Sequence, residues 1–205
     1  MNKTLFCLGA TIPQVTIREP PEPLEIGTGT STNSEFPMYH YYDYGVFIYL
    51  YKQSELGSSK TISDIAFDMV NTSSSTYTAN NQTLKFAHSS ATVIPDNVKT
   101  DLTNLPYTDL TTVKNNFTWS VNSVEEWKNI NLDTNFNYNG TDSLLVIWEN
   151  RDGSYISGTS SNPRCKVTSD GTFNVYYKYQ DGIFPSSSYG TKDSSGKPIV
   201  RLQFA

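Results

Sequence analysis

The sequence predicts an all-β protein: one antiparallel β-sandwich preceded by an extended N-terminal arm. Three observations predict it. Residues 45–52 alternate large side chains with a period of two, Phe47, Tyr49 and Tyr51 on one face and Val46, Ile48 and Leu50 on the other. Turn dipeptides recur at Asn139-Gly140, Asp152-Gly153, Asp170-Gly171 and Asp181-Gly182. The composition, with 14 Tyr, 10 Phe and 3 Trp but only 17% charged residues, supplies a core and a surface of Ser, Thr, Asn and Tyr.

The elements follow in chain order. Residues 1–25 form the arm: residues 11–18 alternate weakly through Ile12, Val15 and Ile17, which suits one strand added to a partner's sheet. Residues 19–23, Glu-Pro-Pro-Glu-Pro, form a stiff polyproline II spacer, and the sandwich domain spans 26–205. Strand 45–52 is followed by a turn at 53–57, one helical turn ended by Gly57, and by a strand over 61–70. Residues 71–81 read as a Ser/Thr/Asn loop and 83–87 as a return to the sheet. In 89–106, Asp96 is placed to cap a short helix reaching Leu102. Strands over 110–121, 124–132, 143–150, 164–167, 173–179 and 198–204 complete about ten. Phe136 and Tyr138 share a face, and Asn139-Gly140 is expected to make a two-residue hairpin turn with both residues at φ > 0. Leu144 to Trp148 is a continuous apolar run, the mark of a strand covered on both faces. In the doublet Tyr176-Tyr177, opposed faces imply that one ring meets solvent or an interface. Such a strand set points to a jelly-roll or immunoglobulin-like sandwich.

A net charge of −5 and a pI near 5.0 give no electrostatic footprint for nucleic acid. No segment reaches the length of a membrane-spanning helix. The apolar run from Leu5 to Ala10 is shorter than the core of an export signal, and Pro13 follows it closely. The two cysteines, Cys7 and Cys165, sit in different units and are expected to be lone thiols.

A wider pattern adds to this reading. Leu132-Asp-Thr-Asn-Phe-Asn-Tyr-Asn-Gly140, the run from Leu144 to Tyr155, Ile26 to Thr32, Tyr41-Tyr-Asp-Tyr44, Tyr49 to Gly57, Ile62 to Phe67 and Trp127 to Leu132 occur in this order. Together they resemble a β-sandwich module recurrent in secreted and cell-surface proteins of Bacteroidota, over about residues 26–205. Asn135 stands where that module usually carries proline, and Val46-Phe47 replaces a more polar pair. The resemblance implies a non-catalytic surface module.

Chemical motifs are sparse. There are two histidines, His40 and His88, and no HExxH, CxxC or GxSxG. The loop 190–198 has the wrong spacing for a phosphate loop, and Pro198 stands where such a loop needs Ser or Thr. A serine–histidine–acid site assembled from loops is the enzymatic alternative, but no motif supports it. No cofactor is expected. Calcium is the single candidate ion, through Asp142, Glu149, Asp152, Asp170 and Asp181, with turn-capping by these residues the favoured reading. Tyr39, Tyr41, Tyr42, Tyr44 and Tyr177 are the candidate ligand or interface aromatics, with packing of the first strand as the alternative.

The expectation is a non-catalytic structural or adhesive virion protein (capsid decoration, head fibre or tail-associated) of a phage infecting Bacteroidota. Its arm, through Ile12, Val15 and Ile17, would join other virion proteins. The sandwich would face outward, as a homo-oligomer, toward a host-surface glycan or protein, without nucleic-acid binding or membrane insertion. The alternative is a carbohydrate- or protein-binding module of a bacterial cell-surface protein, extracellular or at the cell surface.

Overall fold

The structure, a computed structural model, describes residues 21–70, 76–95, 105, 107–122, 125–156, 163–186 and 190–205. Ile12, Val15, Ile17 and Cys7 lie outside them, as does the stretch in which Asp96 was expected to cap a helix.

Thirteen strands and one helical turn are present among these residues. In chain order they are β1 (Leu24–Ile26), β2 (Thr32–Asn33), β3 (Tyr44–Tyr51), α1 (Gln53–Leu56), β4 (Lys60–Val70), β5 (Tyr77–Ser89) and β6 (Thr111–Val121). β7 (Glu125–Tyr138), β8 (Ser143–Asn150), β9 (Arg164–Thr168), β10 (Val175–Gln180), β11 (Thr191–Asp193), β12 (Lys197–Pro198) and β13 (Val200–Phe204) follow. They form two antiparallel sheets packed face to face. One has the order β11-β10-β3-β8-β5-β6. The other is built on β4, which pairs β7 along one side and β13 and β9 along the other, with β1 beyond β13 and β2 and β12 on β9. The expected antiparallel sandwich is therefore the fold.

Period two explains the core between the sheets. β4 sends Ile65, Phe67 and Met69 inward against Phe47, Tyr49, Phe86, Trp119 and Trp148 of the other sheet. Phe67 meets Trp148 edge-on with ring centroids 5.5 Å apart, and Trp148 meets Trp119 at 4.9 Å, the arrangement aromatic quadrupoles favour. Trp148 Nε1 donates to Gln82 Oε1 at 2.7 Å and Gln82 Nε2 to Asn150 Oδ1 at 2.6 Å, whereas the buried Trp119 Nε1 has no partner among the described residues. Cys165 is a free thiol buried in the same core.

The six-stranded sheet has a second core on its outer face. Val46, Ile48, Leu50, Ala87, Leu145, Ile147 and Tyr176 are roofed by Ile94, Leu105, Tyr107, Leu110 and Phe184 from connecting segments. Hence every residue of β8 is buried, as its unbroken apolar run implies. Tyr176 is fully buried under this roof and Tyr177 lies half-buried on the inner side. One of this pair was expected to meet solvent or an interface; Tyr176 is instead covered within the chain, by loops that strand periodicity does not reveal.

Three local expectations are also corrected. Residues 77–81, read as loop, begin β5, because the only apolar residues there, Tyr77 and Ala79, alternate and are both buried. Ile199 interrupts the strand expected over 198–204: its N–H donates to Lys166 O at 2.9 Å, so it splits β12 from β13. Asn139-Gly140 is not a hairpin turn. β7 pairs with β4 whereas β8 pairs with β3 and β5, so residues 139–142 cross from one sheet to the other. Only Gly140 has positive φ, at 79°. Asn139 instead organises the crossover with its side chain, its Oδ1 accepting from the N–H groups of Thr141 and Asp142 at 2.9 and 3.1 Å. A Cβ on Gly140 would lie 2.4 Å from the backbone nitrogen of Ser59.

Candidate functional site

One pole of the sandwich gathers tyrosines. It is the pole at which β3 begins and β8 and β10 end, since Gly45 pairs with Asn150 and Tyr179. Tyr177 and Tyr179 stack in parallel on the inner face of β10 with centroids 5.6 Å apart. Tyr42 stacks on Tyr179 at 4.4 Å, and Tyr39 meets Tyr179 edge-on at 5.0 Å. Glycine at position 45, opposite Tyr179, leaves room for the Phe47 ring, which stacks on Tyr177 and Tyr179: a Cβ there would sit 2.6 Å from it. Tyr41 extends the array outward at 5.9 Å from Tyr39, and Tyr155 lies beyond it at 6.3 Å from Tyr41. Tyr41 is 38% exposed and Tyr155 59%.

Glu35 is the anion beneath the array. Tyr179 Oη donates to its Oε1 at 3.3 Å, and Tyr177 also hydrogen-bonds it. Burial, and then the Glu35 carboxylate, push the Tyr177 hydroxyl up to about 12 and raise that of Tyr179 further. Both rings thus remain protonated donors. His40 is buried, and neither ring nitrogen has a hydrogen-bond partner among the described residues. Burial lowers its pKa to about 4, so the ring is neutral and packs beside Tyr77.

Backbone bonds hold three loops together here. Ile156 N–H donates to His40 O at 2.8 Å and Gly153 N–H to Asp43 O at 3.0 Å. Asp43 also accepts from Gly182 N–H through its carboxylate at 3.0 Å, while its own N–H approaches Asp181 Oδ1 at 3.4 Å. The result is a recess of about 190 Å³ lined by Tyr41, Tyr155 and Asp181.

Of the five aromatics singled out in the sequence, Tyr39, Tyr41, Tyr42 and Tyr177 belong to this array. Tyr44 opens β3 and stands apart from it, its hydroxyl beside Gly153. Sequence reasoning missed Tyr155, Tyr179, Glu35 and Asp43 as members. The single local signal was the Asp152-Gly153 turn, and only tertiary pairing sets Tyr155 beside Tyr41.

Four of the five carboxylates considered for calcium have protein partners of their own. Asp142 accepts from Asn139 Nδ2, Asp152 from Ser154, and Asp170 from Lys52, Thr172 and Asn174. Glu149 is buried between Lys85 and Arg151, and Asp181 faces Asp43 and the recess. Among the described residues no three His, Cys, Asp or Glu side chains converge to hold a metal.

At the opposite pole His88 bonds Asp109 through Nδ1, the start of a triad-like arrangement. Its Nε2, the atom that would take a nucleophile's proton, accepts the backbone N–H of Asn139 at 3.0 Å. Its ring lies against Phe136 and Tyr138. The histidine ties the crossover to the end of β5, and no serine hydroxyl bonds it among the described residues. Comparison with protein-family models, with curated proteins and with solved structures finds no match to this chain.

Proposed function

We propose that this chain is a non-catalytic adhesive or structural protein of a virion, from a phage infecting Bacteroidota, attached at one pole and presenting the other outward. The observation that supports this reading is the polarity of the sandwich. Lys60 pairs with Tyr138 beside the crossover, at the pole where β3 ends. Here Pro21 O accepts from Gln203 Nε2 at 2.7 Å, and Ala205 N–H donates to Thr61 O at 3.0 Å. The first and last described residues therefore lie together, lining a groove of about 400 Å³ with Glu22, Lys60 and Phe204. The tyrosine array occupies the far pole. A domain tethered through residues 1–20 would hold that array away from its support, where repeated weak contacts in an oligomer gain avidity.

The experiment is deletion of residues 1–20, which leaves β1 intact, with mixing of the purified protein and particles that lack it. The shortened protein is expected to fold and to stay off the particle, whereas the full chain joins it. Normal incorporation of the shortened form would overturn the attachment role.

A further inference from the structure

The recess at the tyrosine pole has the chemistry of a subsite for a sugar ring. We propose that Tyr41, Tyr155 and Asp181 bind one residue of a neutral glycan, a conclusion that rests on the outward-facing reading of this pole. A saccharide offers two kinds of surface: a weakly apolar face of C–H groups and a rim of hydroxyls. Tyr155 presents an exposed ring to the first, and Tyr41, inclined to it by 60°, forms the adjoining wall. Asp181 serves the rim. Its Oδ1 is engaged only by the long contact from Asp43 N–H at 3.4 Å, and its Oδ2 has no partner among the described residues. A free carboxylate oxygen accepts from adjacent hydroxyls in charge-assisted bonds. The phenol hydroxyls of Tyr41 and Tyr155 add donor–acceptor groups at the mouth.

Charge and size restrict the ligand. Among the described residues no lysine or arginine lines the recess, and the charged group there is a carboxylate, as are Glu35 and Asp43 nearby. A sulfated, phosphorylated or sialylated glycan would meet repulsion without a counter-charge. At about 190 Å³ the recess is smaller than the usual drug-sized pocket and takes a single ring, with the rest of the chain outside. The hydrogen bonds from Ile156, Gly153 and Gly182 fix the three loops before any ligand arrives, which lowers the entropic cost of binding. A protein partner is less well served, because such interfaces place a flat, desolvated aromatic core around their anchors, whereas these rings flank an open carboxylate.

The test is affinity electrophoresis of the full chain through gels holding mannan, β-glucan, galactan or dextran sulfate. Retardation by at least one neutral polysaccharide and none by dextran sulfate is expected. Tyr155→Ala and Asp181→Asn should each weaken the retardation about tenfold, equivalent to about 1.4 kcal/mol, with thermal unfolding unchanged. Lack of retardation by every neutral polymer, stronger retardation by dextran sulfate, or unaltered retardation in both variants would overturn the proposal. So would loss of host-cell adhesion in Tyr155→Ala without glycan retention, since a protein receptor would then be the ligand. Particle incorporation through residues 1–20 is measured separately, so failure of the glycan site leaves the attachment reading standing or falling on its own result.

Discussion

The outer faces of the two sheets are built on opposite rules. Over the six-stranded sheet, Val46, Ile48, Leu50, Leu145 and Ile147 lie under a roof of Ile94, Leu105 and Phe184. Arg151 closes that roof, its guanidinium 3.5 Å from the centroid of the Phe184 ring while Nε donates to the buried Glu149 at 2.8 Å. Over the other sheet most outward positions are polar and paired with one another. Arg201 lies 4.0 Å above the Trp127 ring and bonds Glu25 at 3.0 Å, Lys166 pairs with Asp68 at 3.2 Å, and Asn129 donates to Asp64 at 3.3 Å. The difference teaches that a sandwich need not have one core. β3 from Val46 to Tyr51 and β8 from Leu144 to Trp148 are unbroken apolar runs because both of their faces are dry, while β13, Val-Arg-Leu-Gln-Phe, alternates because one of its faces is wet.

The sharpest break of this comparison is a truncation on each face. Ile147→Ala should leave a cavity under the roof and cost about 2–5 kcal/mol, read from urea unfolding. Gln203→Ala on the open face should cost less than about 0.5 kcal/mol. Equal costs would mean that the roof does not pack as a core.

A second prediction concerns His40, buried between the faces at the tyrosine pole. Its pKa of about 4 lies below the ordinary 6.5, so the unfolded chain binds the extra proton first. The stability it contributes is fully present above about pH 6.5 and is lost as pH falls toward 4, by up to about 3 kcal/mol. Unfolding midpoints across that range should fall in the native protein and fall less in His40→Leu. Parallel pH profiles would remove the assignment.

Two changes test the junctions between the sheets. Gly140→Val forces a side chain against Ser59 at positive φ and should cost about 1–3 kcal/mol, while glycan retention per folded molecule is unchanged because the crossover lies at the far pole. Gln82→Ala strips the Trp148 N–H of its acceptor and Asn150 of a donor, with an expected loss of about 1–3 kcal/mol. An unaltered midpoint in either variant would show that the site relaxes freely. A small effect is also expected for an ion pair on the open face: Arg201→Ala should cost about 0.5–1 kcal/mol and lose its salt sensitivity, because its partner Glu25 is nearly half exposed.

Much of this architecture was legible in the residues. Alternation in β3 and β4, the unbroken run of β8, and the single helical turn before Gly57 follow from side-chain period and glycine at a chain reversal, both local properties. Asn139-Gly140 marks the limit of local reading. The same dipeptide closes a hairpin or starts a crossover, and the choice depends on whether β8 finds β7 or the pair β3 and β5. Residues 77–81 show the same limit, since two apolar side chains among polar ones read as loop until Trp119 and Val121 are there to pair with them.

By itself the sequence determined that this chain is all β, where most of its strands run, and which strands are dry on both sides, because burial demand is written in each strand's own pattern. It also named four of the array's tyrosines by their density. The tertiary structure alone decided that Tyr155, Tyr179 and Asp181 join them, and that the described termini lie at the other pole. Those facts depend on register between strands separated by more than a hundred residues, and register is set by how the whole core packs, not by any single segment.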